Sequence, residues 1–369
     1  MSQTKVEQPF VENNKPFRNI IINGNMAVSQ RGDSTGVSSS GYYACDRWNQ
    51  NMSDAGTFSI SQDTDVPAGY GFSKSLKLDC TTADASVAAG SVHRIYQRIE
   101  AQYLAPVHSG SANAKQLVYS FWIKFDNVSG DFCANILNLS DSNNRVIAKK
   151  FTYGSGAGWQ KYSFVIPGDT GGNALTPDNS GAYYVQIYMQ AGSNFTSGTL
   201  STSWADRTDA NRAVGQTLQL ASNTSNNVYF TGAQLEIGDA PSDFEHLPYD
   251  INLQRCHRYY YVHTQPQTGN NEPMGMGMYY SDSQVNAHIP FKVPMRTSPS
   301  LVCTDASNHF TVFRNGGSDA VDNWSAGELT ENVGEIYNNS DFSGSGYSQA
   351  GCVLSTNNAS AKLAFDAEL

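Results

Sequence analysis

The sequence predicts an all-β protein. An antiparallel jelly-roll or β-sandwich is expected over residues 19–250 and a second, smaller β domain over 251–369, behind an extended N-terminal arm at 1–18. Three observations lead there. Apolar residues recur at every second position and not at helical spacing. Charged residues make up only 15% of the chain, against the ~25% of an average globular domain, so Ser, Thr, Asn, Gln and Gly must supply the polar surface, and these favour turns over helices. Clusters of Gly, Pro, Asn and Asp then cut the sequence into strand-length pieces.

The elements follow in order. Phe58 and Ile60 alternate with Ser59 and Ser61, Leu76 and Leu78 with Ser75 and Lys77, and Tyr162, Phe164 and Ile166 with Lys161, Ser163 and Val165. In Ala182–Gln190, Val185, Ile187 and Met189 share one face while Tyr184, Gln186, Tyr188 and Gln190 share the other. Leu117–Phe125 is almost entirely apolar, as a strand buried on both faces would be. His93–Gln102 fits either a helical turn, through Ile95 and Ile99, or a strand, through Ile95, Gln97 and Ile99. Residues 250–262 read as a short helical turn entering an aromatic strand, and the loop at 265–273 marks entry to the second domain. There Met274–Met278 alternates Met with Gly, predicting a strand whose small face packs on a neighbouring chain or sheet. The closing stretch Ala361–Leu369 predicts a strand with Ala361, Leu363, Phe365, Ala367 and Leu369 inward and Lys362, Ala364, Asp366 and Glu368 outward.

The net charge of −10 argues against nucleic acid, whose phosphates need Lys and Arg, and against a polybasic membrane contact. No run approaches the ~18 apolar residues of a membrane span, so no membrane insertion is expected. Met1 to Phe17 hold Lys5, Glu7, Glu12 and Lys15 with no apolar run, which predicts no secretory signal. Six cysteines lie far apart without a CxxC pair or zinc spacing, so they are expected as reduced core thiols. The arm lacks periodicity and would not order alone. It is expected to dock on another chain, with Val6, Pro9, Phe10, Val11 and Phe17 as its apolar contacts.

Several blocks, in order, resemble a jelly-roll module of bacteriophage tail-fibre and related virion proteins. They are Asn19-Ile20-Ile21-Ile22-Asn23-Gly24-Asn25-Met26, Gln30-Arg31-Gly32, Asp46-Arg47-Trp48, Ser120–Lys124, Phe230–Gly238, Phe244–Tyr249 and Leu253–Tyr261. Val293–Pro299 and the closing Asp366–Leu369 are similar to the small β domain that often follows it. The resemblance implies a fold like that of carbohydrate-binding modules, location in the virion after assembly in the host cytoplasm, attachment to other tail or capsid proteins, frequent homotrimers and, in many members, recognition of a host surface glycan.

A glycan site needs an exposed aromatic plane for the C–H face of a sugar and polar groups for its hydroxyls. Trp204, followed by Asp206 and Arg207, and Trp324 sit in polar loops and are platform candidates, as are Tyr279 and Tyr280; Trp48 and Trp122 read as core. Asp63/Asp65 and Asp206/Asp209 read as solvated turn-formers, not as the carboxylate pair of a glycosidase. The histidines are scattered singly and there is no G-x-S-x-G elbow. No cofactor and no enzymatic activity are expected. A structural Ca²⁺ is compatible with such folds, but no ligand set can be named, and Asp141-Ser142-Asn143-Asn144 is no EF-hand loop. The function expected is a tail-fibre or spike subunit that anchors by its N-terminus and presents β domains to a host glycan. The alternatives are a head or tail decoration protein without a ligand and, third, a glycan depolymerase.

Overall fold

The computed structural model describes residues 17–140, 144–265, 272–342 and 350–369. The chain divides into two compact units, Met1–Asn252 and Leu253–Leu369, both built from antiparallel strands.

The first unit contains β1 (Ser34–Val37), β2 (Gly41–Tyr42), β3 (Asn49–Ser53), β4 (Thr57–Asp63), β5 (Ser75–Thr82), β6 (Val92–Glu100), β7 (Leu117–Asp126), β8 (Gly130–Asn138), β9 (Arg145–Tyr153), β10 (Gln160–Ile166), β11 (Gly181–Ala191), β12 (Ala205–Asp206) and β13 (Asn227–Ile237). They form a 6-stranded sheet in the order β1-β4-β5-β13-β7-β10 and a 7-stranded sheet in the order β12-β9-β8-β11-β6-β3-β2. One core lies between them. Phe58, Ile60, Leu76, Leu78, Phe121 and Phe230 come from the first sheet, and Ile95, Ile99, Phe132, Ile136, Val185 and Ile187 from the second. The period-two residues are therefore the facing layers of a sandwich. Strand β7 is buried along both faces, as its continuous apolar run predicts. His93–Glu100 belongs to a strand: it pairs with β3 and β11, and a 3-10 turn, Ala101–Val107, follows.

Four of the blocks that carry the resemblance, Asn19–Met26, Asp46–Trp48, Phe230–Gly238 and Phe244–Tyr249, meet in one hydrogen-bonded seam. Asn19 Nδ2 donates to the Ala233 carbonyl (3.1 Å), and its Oδ1 accepts from the Ile21 and Leu235 amides (3.0 and 3.1 Å). The Asn19 amide donates to Glu245 (2.9 Å), whose own amide donates to Gln234 Oε1 (2.8 Å). Trp48 Nε1 donates to the Asn23 carbonyl (3.0 Å), and Asn23 Nδ2 bridges the carbonyls of Val28 and Asp46 (2.8 and 3.0 Å). Gly24 is required here: a Cβ on it would lie 2.0 Å from the Ala233 oxygen. These residues stitch the entering segment to β13. Trp48 (1% exposed) and Trp122 (9%) are buried, as expected.

A helix α1 (Ser193–Thr196) lies in the long connection to β13, and α2 (Tyr249–His257) carries the chain into the second unit. That unit contains β14 (Tyr260–Thr264), β15 (Pro273–Ser281), β16 (Gln284–Pro290), β17 (Ser300–Cys303), β18 (Phe310–Arg314), β19 (Gly317–Val321), β20 (Ser325–Leu329), β21 (Val333–Asn338), β22 (Gly351–Thr356) and β23 (Leu363–Asp366). A 3-stranded sheet, β14-β23-β17, faces a 7-stranded sheet, β19-β18-β22-β15-β16-β21-β20. Tyr261, Leu363 and Phe365 from the first share a core with Val285, Ile289, Val312, Ile336 and Leu354 from the second.

Two expectations are corrected in this unit. The last strand spans only Leu363–Asp366, and Ala364, expected outward, is fully buried. It pairs with Val262 on one side and Val302 on the other, and a methyl between two larger side chains has no free surface. In the Met–Gly run the alternation breaks at Gly275 (φ +149°), where the β15–β22 register shifts. Met274 therefore points inward, while Met276 (75% exposed) and Met278 (56%) point out with Tyr280. A shifted ladder moves side chains to the other face. The six cysteines form no disulfide with one another; five are buried and Cys303 is partly exposed.

Candidate ligand-binding site

The outer face of the second unit's larger sheet carries a groove of about 680 Å³. It is built by the hairpin β15–β16. Because Val285, Ala287 and Ile289 fill the core, Asn286 and His288 must point outward, and register sets Asn286 between Met278 on β15 and Tyr337 on β21. Tyr280, 73% exposed, stands at one end. Val353 on β22 pairs with both Met276 and Phe313, so an apolar row crosses three strands. It continues into a shallower depression of about 430 Å³ that also touches Met276. Gly277 sits under the groove on the inward face, where a Cβ would meet the Asn286 carbonyl at 2.9 Å.

The polar wall is small and ordered. Asn286 Nδ2 donates to Glu335 (2.7 Å), and Asn286 Oδ1 accepts from Gln284 (2.7 Å). The Glu328 amide also donates to Glu335 (3.2 Å). That amide and then Asn286 hold the Glu335 carboxyl below its usual range, against the opposing effect of burial. His288 is exposed and has no hydrogen-bond partner among the described residues. The groove thus offers an aromatic plane, flexible apolar side chains, one fixed carboxylate and one exposed imidazole near enough to act on that carboxylate.

Of the residues singled out from the sequence, Tyr280 alone presents an open ring at this site. Tyr279, next to it, is buried at 1% exposure; its hydroxyl donates to Asp319 (2.7 Å), which Arg314 holds through two contacts of 2.6 and 2.9 Å. Trp324, expected as a platform, is a core residue at 3% exposure, packed edge-on against Phe310. Its polar neighbours mislead: Asp322 accepts from the Asn308 amide and Asn323 donates to Asp305, which pins the loop while the indole turns inward.

In the first unit, Trp204 is half-buried against Tyr183, and its Nε1 donates to the Pro167 carbonyl (2.7 Å), so it seals the sheet margin. Asp206 approaches Arg145 (3.6 Å) and Arg207 pairs with Asp209 (2.9 Å). These three do not form one open platform. Phe17 is 61% exposed in a left-handed conformation (φ 58°); Val6, Pro9, Phe10 and Val11 lie outside the described residues. So does Asp141-Ser142-Asn143. Among the described residues no three His, Cys, Asp or Glu side chains converge on a common metal position.

Met276, Met278, Phe313, Val353, Asn286, His288 and Glu335 were not marked as site residues from the sequence. The available signal was the alternation in Gln284–Pro290, which places Asn286 and His288 opposite the Met run once the intervening turn is read as a hairpin.

No family model matches the chain, and no curated protein matches it. Solved structures similar to it include the enzymatically active domain of bacteriophage CBA120 tailspike protein 4 (12% identity, TM-score 0.31), over 61% of this chain and 22% of that one. The C-terminal family 22 carbohydrate-binding module of Clostridium thermocellum Xyn10B is 14% identical with a TM-score of 0.28, covering 57% of this chain and 97% of the module. TmCBM61, in complex with β-1,4-galactotriose, is 9% identical with a TM-score of 0.28, over 60% of this chain and 99% of that one. The chain therefore spans about a fifth of the tailspike chain and nearly the whole of each module.

Proposed function

We propose that the chain is a non-enzymatic subunit of a phage particle, of the tail-fibre type, that recognises a neutral host-surface glycan through the groove at Tyr280. The observation that carries the ligand half is the exposed Tyr280 ring beside Asn286, His288 and Glu335 on a rigid sheet. A sugar's C–H face packs on the ring while its hydroxyls meet the fixed polar groups, and Met276 and Met278 adapt to its contour. The phage half is supported by the ordered blocks from Asn19 to Tyr261. In a homotrimer anchored by the N-terminal arm, several weak sites add by avidity.

Binding without hydrolysis is supported by the state of the carboxyls. A glycosidase needs one carboxyl raised to act as an acid. Asp65, Asp131, Asp178, Asp209, Asp319 and Glu335 are each held below the usual carboxylate range, opposite to that requirement. The test is a glycan array and host-cell adsorption with the purified chain and Tyr280→Ala. Adsorption lost in the variant, with no oligosaccharide released, supports the proposal. Equal adsorption by both proteins refutes the site, and released oligosaccharide refutes the non-enzymatic reading.

A further inference from the structure

The outer face of the first unit's 7-stranded sheet gathers cations and tyrosines in register. Strand β6 turns Arg94, Tyr96 and Arg98 outward, and β11 sets Tyr188 beside Arg94 and Tyr184 beside Arg98. Asn49 and Asn51 of β3 flank Tyr96 and Arg94. The Tyr96 and Tyr184 rings stack at 5.5 Å, nearly parallel at 4°. The Arg98 guanidinium lies 4.5 Å from the Tyr184 centroid and 5.8 Å from that of Tyr96. Arg94 lies over Tyr188 at 5.8 Å and donates to its hydroxyl at 3.2 Å. The long connection to β13 covers the rest of the face: Ala213, with Phe195 and Leu200, packs on Tyr188 and Cys133.

Two features of this patch have no internal explanation. Neither Arg94 nor Arg98 has a carboxylate partner among the described residues, in a chain whose net charge is −10. Arg98's guanidinium makes no hydrogen bond at all among them; it only stacks. On the same face, Nε of Arg94, Arg98 and Arg212 and Oδ1 of Asn49 and Asn135 are buried without a partner. Arg212 is 1% exposed and stands 5.7 Å from the Tyr188 centroid. Buried polar groups in folded proteins are almost always satisfied, so these atoms call for a polar neighbour, as Gln50 Nε2 and His93 Nδ1 do inside the sandwich; what singles out this face is the pair of arginines without a carboxylate.

We infer that this face binds the carboxylate of an acidic sugar, in a glycan that carries uronic or sialic acid. The inference rests on reading the chain as a glycan binder, but on a surface separate from the groove at Tyr280. A guanidinium is a planar fork that meets a carboxylate through two parallel hydrogen bonds, and Tyr184, half-buried beside it over the buried Tyr96, offers its open edge to the same sugar ring. Arg94, four residues along the strand and ~13 Å away by strand rise, meets an acidic residue further along a polymer, beyond the adjacent sugar unit. A nucleic acid needs an extended basic surface to neutralise successive phosphates, and this row offers only Arg94 and Arg98 in line.

The experiment titrates the intact chain with tetragalacturonate, with trisialic acid and with the neutral carboxyl-reduced form of the first. Arg98→Gln, Arg98→Lys and Tyr280→Ala are run beside it, with melting temperatures to confirm folding. An acidic probe binds at least tenfold more tightly than the neutral one. Arg98→Gln abolishes that preference, Arg98→Lys restores only part of it, and Tyr280→Ala leaves it intact. Equal affinity for charged and neutral probes, no binding of either acidic probe, or a preference insensitive to Arg98→Gln overturns the assignment. Tighter binding of single-stranded DNA through the same arginine also overturns it. Neutral-glycan binding lost in Tyr280→Ala but kept in Arg98→Gln is the separate readout of the groove, so the two readings fail independently.

Discussion

His93 makes the first unit sensitive to mild acid. The ring is fully buried between the two sheets, edge-on to Phe58 at 4.6 Å; its Nε2 donates to Gln50 Oε1 (3.1 Å), and Nδ1 has no partner. Burial lowers its pKa to about 3, whereas in the unfolded chain it is ~6.5. Above pH 6.5 neither state takes the proton and stability is at its full value. As the pH falls from 6.5 towards 3, the unfolded chain gains the proton and the native state does not, so stability falls by about 1.4 kcal/mol per pH unit. The loss reaches about 2 kcal/mol at pH 5 and about 4 kcal/mol by pH 3. The pH 7 to 5 interval isolates the effect, because carboxylates titrate mainly below it.

The assay is urea unfolding followed by tryptophan fluorescence. With the second unit's Trp324 replaced in a Trp324→Phe background, the remaining Trp48, Trp122, Trp159 and Trp204 all belong to the first unit, so the signal reports that unit and not His257 or His263, which are lowered in the second. His93→Gln should shrink the pH 7 to 5 stability loss by about 2 kcal/mol, whatever the substitution costs at pH 7. An identical loss in both proteins would refute a neutral buried His93.

Further outcomes follow from the packing. Gly24→Ala drives a methyl into the Ala233 carbonyl and should destabilise the first unit by about 1–3 kcal/mol, read as a lowered urea midpoint; an unchanged midpoint would show that the seam is not close-packed. Trp324→Ala should cost the second unit about 3–5 kcal/mol, as a large core truncation does, whereas a surface platform would lose ligand binding with little change in melting temperature.

The sequence made the sandwich legible because strands whose one face is core and whose other is wet print a period of two. Phe58 and Ile60, Leu76 and Leu78, and Val185 and Ile187 are cases. It was ambiguous at His93–Gln102 because Ile95 and Ile99 satisfy both periods, and only pairing with β3 and β11 decides. That ambiguity hid the Arg94-x-Tyr96-x-Arg98 row, which is visible as a face only once the segment is a strand. The groove was half legible. Tyr280 was marked, but the register shift at Gly275 that turns Met276 and Met278 outward depends on a backbone angle that no residue pattern prints. Trp324 was misplaced because polar neighbours tell how a loop is fastened, not where its one large apolar side chain points.

The most direct test of glycan recognition is saturation-transfer NMR on the intact chain with neutral oligosaccharides prepared from the host surface. Irradiating the protein's methyl resonances should saturate the sugar C–H protons that rest on Tyr280, Met276 and Met278, and Tyr280→Ala should remove most of that transfer while the fold is kept. Transfer that persists unchanged in Tyr280→Ala, or none at all with the natural host's glycans, would contradict the account.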